Sequence, residues 1–289
     1  MGLLSGLGGL GLSGLEDMDI FEEEEKEKEA AKEKEAVKAK AAPAPQIEEK
    51  DIVFERNYKC PVCNETFPSK AVRSGKSRLI GTDSDLRARY DIIDPGKYDV
   101  VLCPKCGYAA LTRFYDKLTP PQANLIREKI SPTVRISEYN DPIYSYKEAM
   151  ERYKLALVNA VVKKAKASEK AYICLKSGWV ARGYRESLQA EDNADSKLIA
   201  ELEKQEDELL QNAYKGFVEA IQSEGFPMCG MDEITVDYLV AVLATRFKKY
   251  DVASRLIANV LVSPSANPRT KDKARDLKEQ ILTEMKKNK

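Results

Sequence analysis

The sequence predicts a mainly α chain with a small β head ahead of a long helical body. Three observations carry that expectation. Two Cys-x-x-Cys pairs, each next to a short β-branched run, lie between residues 51 and 118. From Asp141 onward the apolar residues recur at helical spacing, with no glycine-rich or β-branched run long enough for a sheet. Ahead of both, residues 22–42 are almost purely Glu, Lys and Ala, the composition of a semi-rigid helical spacer. The chain therefore divides into 1–21, 22–50, 51–118 and 119–289.

Composition narrows the chemistry. The 289 residues carry 47 Lys and Arg against 47 Asp and Glu, a formal charge of zero, and no His. A chain without histidine builds neither a Ser-His-Asp or Cys-His nucleophile nor an H-E-x-x-H zinc site, and no enzymatic activity is expected of it. Hydrophobic residues make up 43% of the chain, above the range of disordered proteins. No run of 18 apolar residues occurs, so no membrane-spanning helix is expected. The Leu/Gly-rich start lacks a basic region, runs into acid at Glu16, and has Gly6 where myristoylation wants Ser or Thr. With six cysteines, too few for a disulfide scaffold, these features point to the cytoplasm.

Residues 1–21 combine Leu3, Leu4, Leu7, Leu10, Leu12 and Leu15 with six glycines. Glycine costs a helix about 0.8–1 kcal/mol per position, so this peptide is expected to be disordered alone and able to order in a groove, on a partner or on this chain's own helices. In the spacer, Glu22/Lys26 and Glu24/Lys28 sit at i,i+4, and Pro43 and Pro45 end the helical pattern, with the folded part expected from about Asp51.

Cys60-Pro61-Val62-Cys63 and Cys103-Pro104-Lys105-Cys106 are each the right length for a knuckle, a tight turn whose two thiolates face one ion. The next residue in each, Asn64 and Gly107, is of the two types that best tolerate the left-handed backbone such a turn needs. Ile52–Phe54 and Tyr98–Leu102 read as strands that deliver the two knuckles. Four cysteines predict one structural Zn2+ per chain, with no open position for catalysis. Iron of rubredoxin type shares the ligand set and is the alternative. The 39 residues between the pairs exceed the usual 15–20 of a zinc ribbon, so an insertion is implied. Within it, Lys70, Arg73, Lys76, Arg78, Arg87 and Arg89 face only Asp83 and Asp85, an arrangement open to two readings: a phosphate-contacting nucleic-acid face or an ordinary solvated hairpin.

The run of Cys60-Pro61-Val62-Cys63, Phe67, Val72-Arg73-Ser74, Asp83-Ser84-Asp85, Tyr90, Pro95, Tyr98 and Cys103 through Ala110 resembles the bacterial family known as domain of unknown function 2225. The likeness covers the head and extends into the helices, about two-thirds of the chain. It implies a metal-binding, zinc-ribbon-like head followed by helices and no particular activity.

Thr119-Pro120-Pro121 opens a helix to about Lys129, which Pro132 closes. Beyond it a spaced pattern recurs: Ala149, Tyr153 and Ala156; Ala213, Phe217 and Ala220; and, more weakly, Ala253, Ile257 and Val260. A small residue at a close crossing, a large one beside it and a second small one a turn later is tetratricopeptide-like, although the copies are unevenly spaced and a plain helical bundle packs the same way. Cys174, Cys229 and Trp179 read as packing residues. The expected role is an interaction or scaffold module that binds a protein or peptide on a concave helical face.

Overall fold

The computed structural model describes residues 47–137, 139–191 and 195–287. The peptide 1–21 and the spacer up to residue 46 lie outside the described residues. Glu48–Lys289 form one compact unit. It opens with a single helical turn, α1 (Glu49–Ile52), closed by a reciprocal cap in which the Glu48 N–H donates to Asp51 Oδ2 at 2.9 Å. Glu49 accepts from the Tyr98 hydroxyl at 2.6 Å and pairs with the buried Lys97, while Ile52 packs on Ile93, Tyr98 and Tyr144. Among the described residues the chain thus engages the rest of the unit from Glu49, and Ile52 ends a helix where the sequence reads as a strand.

Three antiparallel hairpins follow. β1 (Val53–Lys59) pairs with β2 (Thr66–Val72), β3 (Leu79–Thr82) with β4 (Ala88–Tyr90), and β5 (Val100–Leu102) with β6 (Ala109–Leu111). Tyr98 is not part of a strand. Pro95 and the Asp94 carboxylate, which accepts from the Gly96 N–H at 2.9 Å, wind Pro95–Tyr98 into a 3-10 turn, and the strand begins at Val100. Helix α2 (Pro120–Lys129) lies where the sequence puts it, with Thr119 and Gln122 forming the reciprocal cap.

The body comprises α3 (Tyr146–Val162), α4 (Ala167–Gln189), α5 (Ser196–Ser223), α6 (Glu233–Arg246), α7 (Tyr250–Val262) and α8 (Pro268–Lys287). Ser145, Asp195 and Asp232 cap α3, α5 and α6 by accepting from early backbone N–H groups. The short connections make neighbours of successive helices, and α4 against α5 is the most extensive of these contacts. The three spaced triplets fall on α3, α5 and α7, and all nine side chains are buried. The first triplet packs on Val100, Leu102, Ala109 and Leu111 of the β5–β6 hairpin, so a sheet takes the place an earlier helix would have in a regular array. Helix α6 is buried at every position from Val236 to Thr245, the mark of a helix surrounded by others. Among the described residues no helix is long and apolar enough to cross a membrane.

An ion network ties the β3–β4 hairpin to this body. Arg182 on α4 reaches Asp83 at 2.9 Å, holds Asp85 through both terminal nitrogens, and donates from Nε to Glu206 of α5 at 2.9 Å. Glu206 is fully buried and also takes Arg185 at 2.9 Å and Arg246 at 3.0 Å. Beside it, Arg87 is buried against Glu186 at 2.9 Å. A carboxylate such as Glu206 is tolerated in a protein interior only with such partners. The next residue on α4, Gly183, leaves room for them: a Cβ there would meet Asp94 Oδ2 at 2.7 Å and Arg87 Nη2 at 2.9 Å.

Arg182→Met, which strands the buried Asp85 and takes one of three arginines from Glu206, should therefore cost about 3–5 kcal/mol in urea unfolding. Gly183→Ala should cost about 1–3 kcal/mol. Gly81→Ala, whose added methyl meets nothing within 4 Å, should stay within about 0.5 kcal/mol.

Candidate metal centre

The two knuckles are the turns of two hairpins. In the first, Cys60 N–H donates to Glu65 O at 2.8 Å and Asn64 N–H to Cys60 O at 2.9 Å. In the second, Cys103 N–H donates to Tyr108 O at 2.9 Å and Gly107 N–H to Cys103 O at 3.1 Å, so the two turns share one hydrogen-bond pattern. Asn64 and Gly107 have φ of 62° and 72°, the left-handed conformation their residue types predict. The Val62 N–H points at Cys60 Sγ at 3.4 Å, as a knuckle amide does toward a thiolate.

These turns bring Cys60, Cys63, Cys103 and Cys106 together, with all four sulfurs within 4.8 Å of one another. Cys60 and Cys106 are 3.5 Å apart, and Cys63 and Cys103 3.6 Å. Sulfurs at about 2.3 Å around one tetrahedral ion would stand about 3.8 Å apart, so the quartet fits a single ion with little adjustment. Cys60, Cys103 and Cys106 are buried and Cys63 is partly exposed. Four sulfurs this close cannot all ionise without a cation among them. Hydrogen bonds from Cys103 and then Cys106 push the Cys60 thiol down, while Cys106 is pushed up by its contacts with Cys103 and Cys60 and by burial.

The surroundings hold the turns rigidly. Tyr58, Phe67, Tyr108 and Tyr115 form an aromatic wall, with Tyr108 and Tyr115 ring centroids 4.9 Å apart. Tyr108 donates to Tyr115 O at 2.9 Å. Arg127 of α2 donates to Val62 O at 2.9 Å, Ser131 to Cys106 O at 3.0 Å, and Asn159 of α3 to Gly107 O at 3.0 Å. Lys105 and Glu65 join the two turns across 2.7 Å. Sequence reading leaves out Tyr58, Tyr115, Arg127, Ser131 and Asn159. Asn159 alone had a visible signal, a polar residue between Ala156 and Ala160 on an otherwise apolar face.

The six basic residues of the insertion do not form one open face. Arg87 is buried in the ion network. Arg89 pairs with Glu186 and Asp83, and Arg78 with Asp91. Lys70 lies over the Tyr144 ring and donates to Asp141 O, and Arg73 lies over Phe54. Lys76 is exposed. The solvated hairpin also needs correction, because Asp85 and Arg87 at its turn are buried. Cys174 and Cys229 stand apart from the quartet, and burial pushes both thiols up to about 11.

A β head that gathers four cysteines from paired turns, locked onto a body of helical hairpins, defines a small class of architecture with a candidate metal centre as its only sulfur cluster among the described residues. The family model described as "Uncharacterized protein conserved in bacteria (DUF2225)" matches residues 53–281, both the head and nearly all of the body. The chain belongs to that family. It is also similar to an uncharacterized protein of Borreliella burgdorferi, 26% identical over 115 residues that cover 35% of this chain and 41% of the other. The match thus spans less than half of that relative's length. No solved structure matches.

Elemental analysis of the purified chain should find one metal ion per chain. Cys60→Ser combined with Cys103→Ser should abolish it, and removing the ion from the unaltered chain with a chelator should lower the melting temperature by several degrees.

Proposed function

We propose that this chain is a zinc-stabilised interaction protein, with a zinc-ribbon-like head that fixes the geometry of a tetratricopeptide-like helical body. The observation that carries the reading is the closed quartet of Cys60, Cys63, Cys103 and Cys106. Four thiolates complete a tetrahedral ion and leave no position for water or substrate, so the ion acts as a cross-link and not as a reaction centre. Zinc fits this better than iron because a closed structural site needs no redox change. A reducing cytoplasm, where six thiols stay free, suits such a site.

The partner surface assigned here is the groove of about 390 Å3 lined by Leu157 and Val161 of α3, Ala171 of α4, and Leu209 and Gly216 of α5. Val158 and Val161 are 51% and 59% exposed beside it, an apolar stripe that helical packing leaves uncovered. Its occupant in this reading is a leucine-rich peptide, and residues 1–21 of the same chain supply the first candidate.

Two measurements test this. The purified protein should be colourless with one zinc per chain, whereas a red sample with one iron would replace zinc by a redox metal. A photo-crosslinking amino acid at position 161 of the full chain should link to one leucine-rich segment, in residues 1–21 or in a single partner. The same label at the more exposed Val262 should not. Equal, scattered crosslinks from both positions would overturn the groove assignment.

A further inference from the structure

The largest cavity among those described, about 640 Å3, lies where the segment after β6 meets the α3–α4 turn and the α5–α6 loop. Its wall includes four cations, Arg113, Lys117, Lys164 and Lys166. Each is exposed, and none makes an ion pair with a carboxylate among the described residues. The two carboxylates in the same wall are already engaged. Glu169 pairs with the buried Lys163 at 2.6 Å. Glu224 accepts the Ser168 N–H at 3.0 Å and its hydroxyl, which caps the start of α4.

Arg113 is held in place without an anion. Its guanidinium lies 5.2 Å from the Tyr172 ring centroid. It also closes on Gly230, whose φ of 78° suits glycine and where a Cβ would come within 2.8 Å of Nη2. A positioned guanidinium fork flanked by three ammonium groups is a recognition set for phosphate oxygens. Like charges gathered around one cavity repel, and a bound polyanion turns that cost into attraction. Phe114, Pro227 and Met228 add an apolar floor. Cys229 also faces the space, but it donates to Ser168 O at 3.3 Å, and its thiol, pushed up to about 11 by burial, stays neutral.

We propose that this cavity is a binding site for a small phosphate-bearing anion of two or more negative charges, with Arg113 as its fork and Lys117, Lys164 and Lys166 as its counter-charges. The volume suits a small molecule, within the range of about 300–1,000 Å3 typical of ligand sites. The site is separate from the cysteine quartet and from the α3–α5 groove, and its occupancy would report a metabolite to the joint between head and body.

The test is calorimetric titration of the full, metal-loaded chain with inorganic pyrophosphate at fixed ionic strength. Saturable one-to-one binding is expected. Arg113→Glu should weaken it by about tenfold or more, and so should Lys164→Glu combined with Lys166→Glu. Lys278→Glu, an exposed charge on α8, should change it by less than about twofold. Unchanged metal content and melting temperature in each variant keep the comparison one of binding and not of folding. Absence of saturable binding in the millimolar range, equal loss in Lys278→Glu, or citrate binding as tightly as pyrophosphate would overturn the proposal. So would a single-stranded RNA that binds through these residues while pyrophosphate fails to compete.

Discussion

Arg182 is the interaction on which the arrangement of this molecule depends. Its guanidinium is held by Asp83 and Asp85 from the head and by Glu206 from α5, while its own backbone belongs to α4. Three stretches of chain separated by more than twenty residues are thereby fixed at one point. An arginine side chain only 12% exposed has few ways to satisfy five donors, and Glu206, with no exposed surface, has no water to turn to. The set is consequently all or nothing: shifting the hairpin relative to α4 would leave charges unpaired in the interior. Networks of this kind add little net stability over an apolar replacement, and what they contribute is a single permitted register.

The cysteine quartet solves a different problem. Three two-stranded hairpins cannot bury enough surface to hold themselves, since an isolated hairpin is marginal in water. The β5–β6 hairpin is supported from one side by α3, whose Ala149, Tyr153 and Ala156 pack on it. The β1–β2 hairpin meets the rest through the aromatic wall of Tyr58 and Phe67 and through the sulfurs of Cys60 and Cys63. An ion joining Cys60 and Cys63 to Cys103 and Cys106 would close a long loop of chain, and its binding free energy would become folding free energy for the head.

Local chemistry was legible in the sequence, and long-range pairing was not. The knuckles, the left-handed Asn64 and Gly107, and the Thr119-Pro120 helix start each follow from a few neighbouring residues, and the structure places them as read. The spaced triplets located three helices and their buried faces, yet they could not say that the first would pack on a sheet. The basic insertion illustrates the limit most clearly. Counted along the chain, the six basic residues from Lys70 to Arg89 outnumber Asp83 and Asp85. In space Glu186, almost a hundred residues away, meets both Arg87 and Arg89. No spacing rule connects positions that distant, and neither reading of the insertion anticipated a buried turn.

The same sorting of charge explains how a chain of zero net charge can still hold a local excess. Pairing in the network is set by burial: where desolvation is severe, as at Glu206, Asp85 and Arg87, every charge must find its opposite. Around Arg113 desolvation is weaker, because Lys117, Lys164 and Lys166 reach water, so the fold does not have to neutralise them. The acids that could have done so, Glu169 and Glu224, are committed to Lys163 and to the start of α4 by nearer and less hydrated donors. The surplus is thus a consequence of where the interior ends, and here it gathers at a boundary between elements where a cavity remains open. That boundary is the joint of head and body, the place where an arriving anion would act on the same relationship that Arg182 holds fixed.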